Sequence, residues 1–293
     1  MQIQERVDLE MSKPIVFMFS GQGTQFYHMG RQLFEQNPVF RRWMMTLDEK
    51  VLDLTGRAVL PVLYNENNQQ VDVFDEILYT HPAIFMLEYS LAQTLQESGI
   101  EPDYVLGASM GEFAALAVAG VLTVEEALDC LVKQAQLLMS ECEPGGMLAV
   151  LHHSSLYHDH PLLHQHSELA AVNYETHFVL SANRENLLKS EQFVRERGIS
   201  SQLLPVRYAF HSRWIEKIAS SYINILKEKA YKRAKTMVAS SLYGELVGTV
   251  SHDYLWKAVR EPILFPQALR QIELQWGGVY LDLGPSGTLA NFA

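Results

Sequence analysis

The chain reads Tyr104-Val105-Leu106-Gly107-Ala108-Ser109-Met110-Gly111 and continues into Glu112–Val118, a run of helix-forming residues. An apolar run, a turn of small residues and a helix in this order are typical of a nucleophile elbow, where a serine stands on a sharp turn between strand and helix. Glycine tolerates the backbone angles of such a turn and lets neighbouring backbones approach. Free N–H groups and the positive dipole end of the helix would stabilise negative charge near the serine. The pattern predicts a catalytic nucleophile at Ser109, and the alternative is a structural turn.

Composition narrows the class of protein. With 48% apolar and 19% charged residues over 293 positions, we expect a globular enzyme of one or two domains. The chain contains no apolar run near the roughly 20 residues of a membrane span and no signal-peptide core, which favours a cytoplasmic protein without a membrane partner. A net charge of -11 argues against nucleic acid as a partner, because its binding requires clustered Lys and Arg. Cys130 and Cys142 lack metal-ligand spacing, so we expect two reduced thiols and no metal site there.

The order of predicted elements indicates an α/β protein with two structural units. Residues 1–10 are interpreted as an N-terminal extension or tag. Short apolar strands alternate with helices in residues 11–144 and 208–293, which predicts a larger, α/β-hydrolase-like core with a parallel sheet. Residues 145–207 carry a β-α-β-β-α-β pattern, which predicts an inserted, smaller ferredoxin-like subdomain. The domain order is therefore core, insert and core again.

The predicted elements of the insert are four strands and two helices. The strands are Gly146–His152, Ala170–Tyr174, Phe178–Ala182 and Gln202–Val206, and the helices are Ser155–His166 and Glu185–Arg197. In the core, strands are predicted at Pro14–Phe19 and Val279–Leu283, and a long helix is predicted to open at His81-Pro82-Ala83 and to end near Gly99.

A glycine-rich loop, Ser20-Gly21-Gln22-Gly23-Thr24-Gln25, follows the first predicted strand. Such loops let a ligand approach the backbone, and a phosphate site is one interpretation. The spacing does not match a P-loop, because no Gly-Lys-Ser/Thr follows, and the two glycines alone are weak evidence for a dinucleotide. The alternative is a structural turn that binds no ligand.

Ser109 needs a base, and histidine is suited to that role because its pKa lies near neutrality. Six of the eleven histidines crowd residues 152–166, but ordered ligand spacing is missing there, which favours a solvated polar helix over a zinc site. His28, His81, His177 and His252 have structural interpretations. His211 lies where the insert returns to the core, and such inter-domain clefts favour function. We therefore select His211 as the base.

Taken together, four motifs resemble the acyltransferase family of fatty-acid and polyketide synthesis, the malonyl-transferase fold, from about Pro14 to the end of the chain. The motifs are Phe19–Gln25, Gly107–Glu112, Tyr208-Ala209-Phe210-His211-Ser212 and Leu283-Gly284-Pro285-Ser286-Gly287. The resemblance implies that a thioester acylates Ser109 and that His211 is its base. It also implies that backbone N–H groups of Gln22 and Met110 hold the oxyanion and that the carbonyl of Leu264 orients the histidine.

Two departures from the family affect the expected substrate. Malonyl-specific relatives hold the substrate carboxylate with an arginine on the helix after the elbow, and the alignment puts Ala135 at that position, with Lys133 and Gln134 facing elsewhere. A carboxylate buried without its bidentate partner is costly, so malonyl groups are expected to be poor substrates and neutral acyl groups better ones. The second departure is Ala108, where many relatives carry histidine. It weakens any substrate assignment taken from those relatives.

The combination resembles the discrete acyl hydrolases that accompany polyketide synthases with trans-acting acyltransferases, and that proofread by clearing acyl groups from acyl carrier proteins. The resemblance implies a monomer that needs no cofactor of its own, because the phosphopantetheine arm belongs to the carrier protein. Arg207 and Arg213 bracket His211 and are candidates to contact the phosphate of that arm or an acidic carrier surface, with exposed loop arginines as the alternative.

Three other functions stay open. One is an acyltransferase that moves an acyl group from coenzyme A to a carrier protein with the same serine and histidine, since no motif encodes whether water or a thiol accepts the acyl group. The second is an unrelated hydrolase of the α/β-hydrolase or patatin type, which is disfavoured because their acidic partners are missing from the pattern. The third is a carrier-docking module with an inactive site.

Overall fold

Two β-sheets organise the chain in the computed structural model, which describes residues 13–275 and 277–293. The strands in these ranges are β1 (Ile15–Phe19), β2 (Tyr104–Gly107), β3 (Gly145–Val150), β4 (Glu168–Tyr174), β5 (His177–Asn183), β6 (Ser201–Leu203), β7 (Met237–Ser240), β8 (Glu245–Val247) and β9 (Val279–Asp282). The helices are α1 (Arg31–Gln36), α2 (Pro38–Thr55), α3 (Leu60–Leu63), α4 (Ile77–Glu97), α5 (Gly111–Val118), α6 (Val124–Glu141), α7 (Ser155–Asp159), α8 (Pro161–His166), α9 (Arg184–Glu196), α10 (Ala219–Lys227), α11 (Tyr254–Arg260) and α12 (Phe265–Gln275), with a 3₁₀ helix at Arg213–Ile218. The predicted extension, residues 1–10, lies outside the described residues.

The larger sheet has the strand order β8-β7-β2-β1-β9. Strands β7, β2, β1 and β9 pair in parallel, as predicted, and β8 adds an antiparallel edge. The register places Phe19 opposite Gly107, so the carboxyl ends of β1 and β2 lie side by side. Ligands of open α/β sheets bind in the crevice outside this edge. The glycine-rich loop and the serine turn therefore leave the sheet next to each other.

Helix α4 begins earlier than the sequence predicts. It starts at Ile77, so the prediction that His81-Pro82-Ala83 opens it is wrong, and Pro82 lies inside the helix. Every residue from Thr80 to Ser90 is buried. A helix packed on all sides draws its stability from burial, which here outweighs the hydrogen bond that proline cannot donate.

The smaller sheet has the order β4-β5-β3-β6, and each neighbouring pair is antiparallel. This arrangement of a β-α-β-β-α-β chain is ferredoxin-like, as predicted. The helix predicted over Ser155–His166 is instead two short helices, because Pro161 cannot continue α7 and holds His160 in an extended conformation.

One face of the smaller sheet packs on its own helices around Leu148, Phe178 and Leu180. Its other face contributes Met147 and Val179 to the main core. A backbone hydrogen bond of 2.8 Å from Ile263 N to the oxygen of Ala170 ties the smaller sheet to the larger unit. The cleft between the two sheets is therefore formed by packed, hydrogen-bonded walls.

Within the described ranges, no helix combines the length and apolar character needed to cross a membrane.

Candidate active site

Ser109 stands on a strained turn between β2 and α5. Its backbone φ is 57°, in the left-handed region that residues other than glycine rarely adopt. A Cβ on Gly111 would lie 2.0 Å from the carbonyl oxygen of Phe19, and a Cβ on Gly107 would lie 2.5 Å from the backbone nitrogen of Glu112. Both glycines are therefore required by backbone contact. The turn aims the serine hydroxyl into the cleft at the carboxyl edge of the larger sheet.

His211 lies against this serine from the other side of the cleft. Its Nε2 accepts a hydrogen bond of 2.6 Å from Ser109 Oγ, and its Nδ1 lies 2.6 Å from the carbonyl oxygen of Glu261. A carbonyl can only accept, so Nδ1 carries the ring proton and Nε2 offers its lone pair to the serine. His211 also has a positive φ, 58°, and its backbone N–H is bonded to Val259 O at 2.8 Å. The surrounding contacts hold Ser109 and His211 in these strained backbone conformations, as is common at functional sites.

The orienting carbonyl belongs to Glu261, so the assignment of Leu264 is wrong. Helix α11 ends at Arg260, and its last carbonyls have no partner within the helix. Glu261 caps this end in an extended conformation and precedes Pro262, which leaves its carbonyl free to meet the histidine. Leu264 instead donates its N–H to Ser241 O and accepts from Ala268 N. The sequence signal for Glu261 as the partner of His211 was its position at the end of a helix, directly before Pro262.

The pKa of His211 is lowered to about 4, mainly because the ring is buried; the hydrogen bond to the Glu261 carbonyl opposes this fall, and the charge of Arg260 adds to it. The imidazole is 1% exposed. It is therefore neutral near pH 7, which is the form that a general base requires.

The glycine-rich loop lies directly against the serine turn. A Cβ on Gly21 would approach Ala108 O to 3.0 Å and Ser109 Cβ to 3.2 Å, so any side chain there would crowd the serine turn. Neither Gln22 N–H nor Met110 N–H donates to an acceptor within the described part of the chain. The roles of these two groups as oxyanion donors stay a prediction, and the free N–H groups are consistent with it.

Polar side chains of α4 hold the glycine-rich loop from behind, and the sequence analysis missed them. The Glu88 carboxylate accepts from Ser20 N at 2.6 Å and from Ser20 Oγ at 2.9 Å, and burial raises its pKa well above the usual value. Gln22 Nε2 donates to Thr80 Oγ1 at 2.8 Å and lies 2.5 Å from His81 Nδ1. The signal was the presence of His81 and Glu88 in a helix that is otherwise largely apolar.

Glu112, directly after the elbow, is a second buried carboxylate that the sequence analysis did not select. Its Oε1 accepts from Ser241 N at 2.8 Å and from Ser241 Oγ at 2.9 Å. Burial raises its pKa to about 7, and the Ser241 hydrogen bonds oppose the rise. Because Ser241 O also accepts from Leu264 N, Glu112 links the elbow helix to the segment that carries Glu261.

The cleft has a volume of about 340 Å³ and takes its walls from both sheets. No Lys, Arg, Asp or Glu is among its lining residues in the described part of the chain. Besides Ser109 and His211, the walls of the cleft include Gln22, Ala108, Met110, Gln134, Thr288, Leu289 and Phe292.

On α6 the orientation differs from the sequence alignment. Gln134 lines the cleft, so the expectation that it faces elsewhere is wrong. Ala135 is fully buried in the main apolar core and is not among the lining residues, which contradicts its assignment as the selectivity position. Lys133 does face away, with its ammonium 3.0 Å from Asp129. Successive helical residues point about 100° apart, so a one-residue offset exchanges cleft for core. Ala108, the other selectivity position, does line the cleft.

The two candidate docking arginines are both paired with carboxylates. Arg207 lies 2.7 Å from Asp75, and Arg213 lies 2.9 Å from Glu168 with its guanidinium over the ring of Trp214. Neither is among the cleft residues. Contact with a carrier phosphate stays a prediction for both. In the described ranges, no group of three or more His, Cys, Asp or Glu could hold a metal ion.

Comparisons with curated proteins place the chain among acyltransferase homologs. The family described as acyl transferase domain matches residues 16–291. The polyketide biosynthesis acyltransferase homolog BaeD of Bacillus velezensis is 48% identical over 283 residues, which cover 97% of this chain and 87% of that protein. The polyketide biosynthesis acyltransferase homolog PksD of Bacillus subtilis is 45% identical over 282 residues, covering 96% and 87%.

Solved structures agree with the observed architecture. The acyltransferase domain from the second module of the salinomycin polyketide synthase has a TM-score of 0.84 at 28% identity, over 96% of this chain and 65% of that one. The malonyl CoA-acyl carrier protein transacylase of Clostridium perfringens has a TM-score of 0.79 at 22% identity over 95% of this chain and 89% of its own, and shows the shared fold. The chain therefore belongs to the malonyl-transferase-like acyltransferase family.

Proposed function

We propose that this chain is a serine acyl hydrolase that releases neutral acyl groups from acyl carrier protein thioesters in polyketide biosynthesis. The observation that carries the proposal is the 2.6 Å Ser109–His211 pair in a cleft whose described walls hold no charged side chain. A serine with an adjacent neutral base suits acyl transfer, and an uncharged cleft suits an uncharged acyl group. The relatives BaeD and PksD are named for polyketide biosynthesis, which supports that setting.

In the first half of the reaction, Ser109 Oγ attacks the thioester carbonyl carbon while His211 Nε2 takes the hydroxyl proton. The carbonyl oxygen becomes an oxyanion that the N–H groups of Gln22 and Met110 stabilise. The C–S bond then breaks, and the carrier thiol leaves with the proton from His211. The product is an ester between the acyl group and Ser109.

In the second half, His211 takes a proton from water as the water oxygen attacks this ester. The new oxyanion uses the same N–H groups, and its collapse returns the proton to Ser109 Oγ and frees the carboxylic acid. Glu261 holds the Nδ1 proton throughout, which keeps Nε2 directed at the reacting atoms. The proposed chemistry requires no metal or redox cofactor, and the phosphopantetheine arm is part of the carrier partner.

The proposed preference for neutral acyl groups follows from the lack of a Lys or Arg side chain in the described walls of the cleft. A malonyl carboxylate in this cleft would lose water without gaining a bidentate partner, and such burial costs several kcal/mol. We therefore propose that acetyl and butyryl carriers are better substrates than malonyl carriers.

The second candidate function is an acyltransferase between coenzyme A and a carrier protein, and the family match favours it. The two functions share the acyl-enzyme and differ only in the acceptor, water or a thiol. Monomeric state and cytoplasmic location belong to the same proposal.

The test is intact-mass spectrometry of acetyl-, butyryl- and malonyl-loaded carrier protein before and after incubation with the enzyme and with Ser109→Ala. The hydrolase predicts conversion of acetyl and butyryl carriers to free holo-carrier, with malonyl spared and the variant inert. Retention of the acyl groups until coenzyme A or a second carrier is added, with transfer to that acceptor, would establish the transferase instead.

A further inference from the structure

A carboxylate of the smaller sheet contacts both chain segments that meet at the catalytic histidine. Glu168 is the first residue of β4, within the insert. Its Oε1 accepts from the backbone N–H of Arg213 at 3.2 Å and from Arg213 Nη1 at 2.9 Å, and its Oε2 accepts from Arg260 Nη1 at 3.3 Å. Arg213 lies two residues after His211, and Arg260 directly precedes Glu261. The two oxygens therefore hold the two segments whose contact forms the hydrogen bond between His211 Nδ1 and the Glu261 carbonyl.

A second carboxylate closes the ion network on its other side. Arg260 Nε donates to Glu216 Oε1 at 3.0 Å, and Glu216 lies on the same 3₁₀ helix as Arg213. The network thus joins two cations and two anions. The side chains of Arg260 and Glu168 are only 16% and 24% exposed. Charge-assisted hydrogen bonds at this depth are screened less than those in open solvent, so they hold the two segments in a defined geometry.

Strand β4 also fixes the segment after Glu261, because Ala170 O accepts from Ile263 N at 2.8 Å. The Glu261 carbonyl is therefore held from both sides, by the Arg260 side chain before it and by the Ile263 backbone after it. The Ile263 contact joins two backbones and does not depend on side-chain identity. The Arg260 contact with β4, by contrast, exists only because the side chain of Glu168 accepts it.

We propose that Glu168 is a positioning residue for His211, because its carboxylate sets where the insert holds the Glu261 carbonyl against the histidine ring. The inference rests on the proposed acyl-enzyme chemistry and gives the insert a part in orienting its base. The backbone φ of His211 is 58°, so surrounding contacts, and not its own preference, keep the ring in place. A ring released by Glu261 would turn Nε2 away from Ser109, and a misplacement of about 1 Å costs up to about 100-fold in rate.

Electrostatics gives this role a signature that a loosened structure would not produce. The charged groups around the ring are Arg260 from α11, Glu168 from β4, and Arg213 and Glu216 from the 3₁₀ helix. Burial is the main cause of the low pKa of His211, and the charge of Arg260 adds to it. Loss of Glu168 leaves this cation less compensated and lowers the pKa further, whereas loss of the Arg260 charge raises it. A loosened cleft would admit water and raise the pKa in both cases.

The experiment measures kcat and KM for hydrolysis of a butyryl carrier protein across the acid limb, with circular dichroism at each pH to confirm folding. The wild-type chain is compared with Glu168→Gln, Arg260→Gln and Arg260→Lys, so the two Arg260 variants test the network independently of the Glu168 variant. Glu185→Gln is the matched control, because it removes a carboxylate from an exposed ion pair with Lys189 in the same insert. Intact-mass measurements follow acylation of Ser109 in parallel.

We expect Glu168→Gln to lower kcat by about tenfold and to change KM by less than about twofold, because the walls of the cleft are unaltered. Its acid limb should lie at or below the pH of the wild-type limb, and the limb of Arg260→Gln should lie above it. Arg260→Lys keeps the charge but not the planar fork, so it should lower kcat without moving the limb. Glu185→Gln should match the wild type.

An unchanged kcat in Glu168→Gln would overturn the positioning role. Limbs raised equally in Glu168→Gln and Arg260→Gln would also overturn it, and would show that the network only ties the insert to the core. Acylation of Ser109 without release to water would overturn the hydrolase alone, because the acylation rates of the variants still report the positioning of His211. A Ser109 that no acyl thioester labels would reject the proposed function and the positioning role with it.

Discussion

The two ends of the cleft differ in how completely their polar atoms are paired. At the catalytic end, the Ser109 hydroxyl and both ring nitrogens of His211 are hydrogen-bonded. Behind Gln22, by contrast, the amide of Gln134 and one ring nitrogen of His81 face each other outside ordinary hydrogen-bond geometry. The comparison shows that the groups assigned to the chemistry are fixed by short hydrogen bonds before any substrate arrives, whereas the groups behind the loop are held more loosely.

The largest effect is expected at the strained catalytic turn. Both Ser109→Ala and Ser109→Gly should lower kcat by at least about 10³-fold, because the acyl-enzyme cannot form. The two variants should differ in stability, since glycine adopts a positive φ without strain and alanine does not. We expect Ser109→Gly to be the more stable by about 1 kcal/mol in thermal unfolding. Equal melting temperatures would mean that the turn stores no strain at this residue.

A large effect is also expected from arginine placed on α6. Ala135→Arg puts a charge into the apolar core and should cost several kcal/mol of unfolding free energy. Gln134→Arg can extend into the cleft and supply the cation that a malonyl carboxylate requires, so malonyl-carrier turnover should rise by about tenfold or more. Chemical denaturation and malonyl-carrier assays measure the two outcomes, with Gln136→Arg as the exposed control.

A folded Ala135→Arg protein that accepts malonyl, beside an unresponsive Gln134→Arg protein, would contradict this orientation of the helix. It would restore Ala135 as the selectivity position, as the alignment alone suggests.

A smaller effect is expected behind the glycine-rich loop. Glu88 acts as a positioning residue through Ser20, whose N–H and hydroxyl both donate to its carboxyl group, and burial raises the pKa of that group. Glu88→Gln retains an acceptor oxygen and should keep most of the activity. Glu88→Leu removes the acceptor of the buried Ser20 N–H, at a cost of about 1–3 kcal/mol, and should lower kcat more than it changes KM. A Glu88→Gln variant as impaired as Glu88→Leu would show that the charge, and not the hydrogen bonds, matters.

The smallest effect is expected from lowering the pH from 7 to 5. A base is active when neutral, so activity is lost as pH falls through its pKa, and for His211 that value is about 4. The acid limb of kcat/KM should therefore lie near pH 4, with a change of less than about twofold between pH 5 and pH 7. A limb near the unperturbed value of about 6.5 would show that His211 is solvated in the working enzyme.

The sequence predicted the parts of this site that local patterns encode, and missed those that depend on how elements face one another. The strand, small-residue turn and helix around Ser109 form one continuous segment, so its geometry follows from local residues. Glu261 required knowing where α11 ends, and Gln134 required knowing the rotation of α6, which differs by about 100° between neighbouring residues. Helix α4 carries three further polar residues, Thr80, His81 and Glu88. Pro82 led to a wrong prediction of where this helix begins, and the hydrogen-bond partners of the three residues lie more than 50 positions away in the chain.

The pairing of the first strand with the last has a consequence for how the protein is made. Strand β1 is an interior strand of the larger sheet only because β9 covers its outer edge, where Val16 pairs with Tyr280, and Thr288, Leu289 and Phe292 close one wall of the cleft. On a ribosome, β9 emerges after all the other strands of its sheet, and contacts between such distant residues form slowly. A nascent chain that already contains Ser109 and His211 but not yet β9 therefore leaves one hydrogen-bonding edge of β1 unpaired. Completion of the cleft wall and protection of that edge therefore both wait for the segment that contains β9 and Phe292.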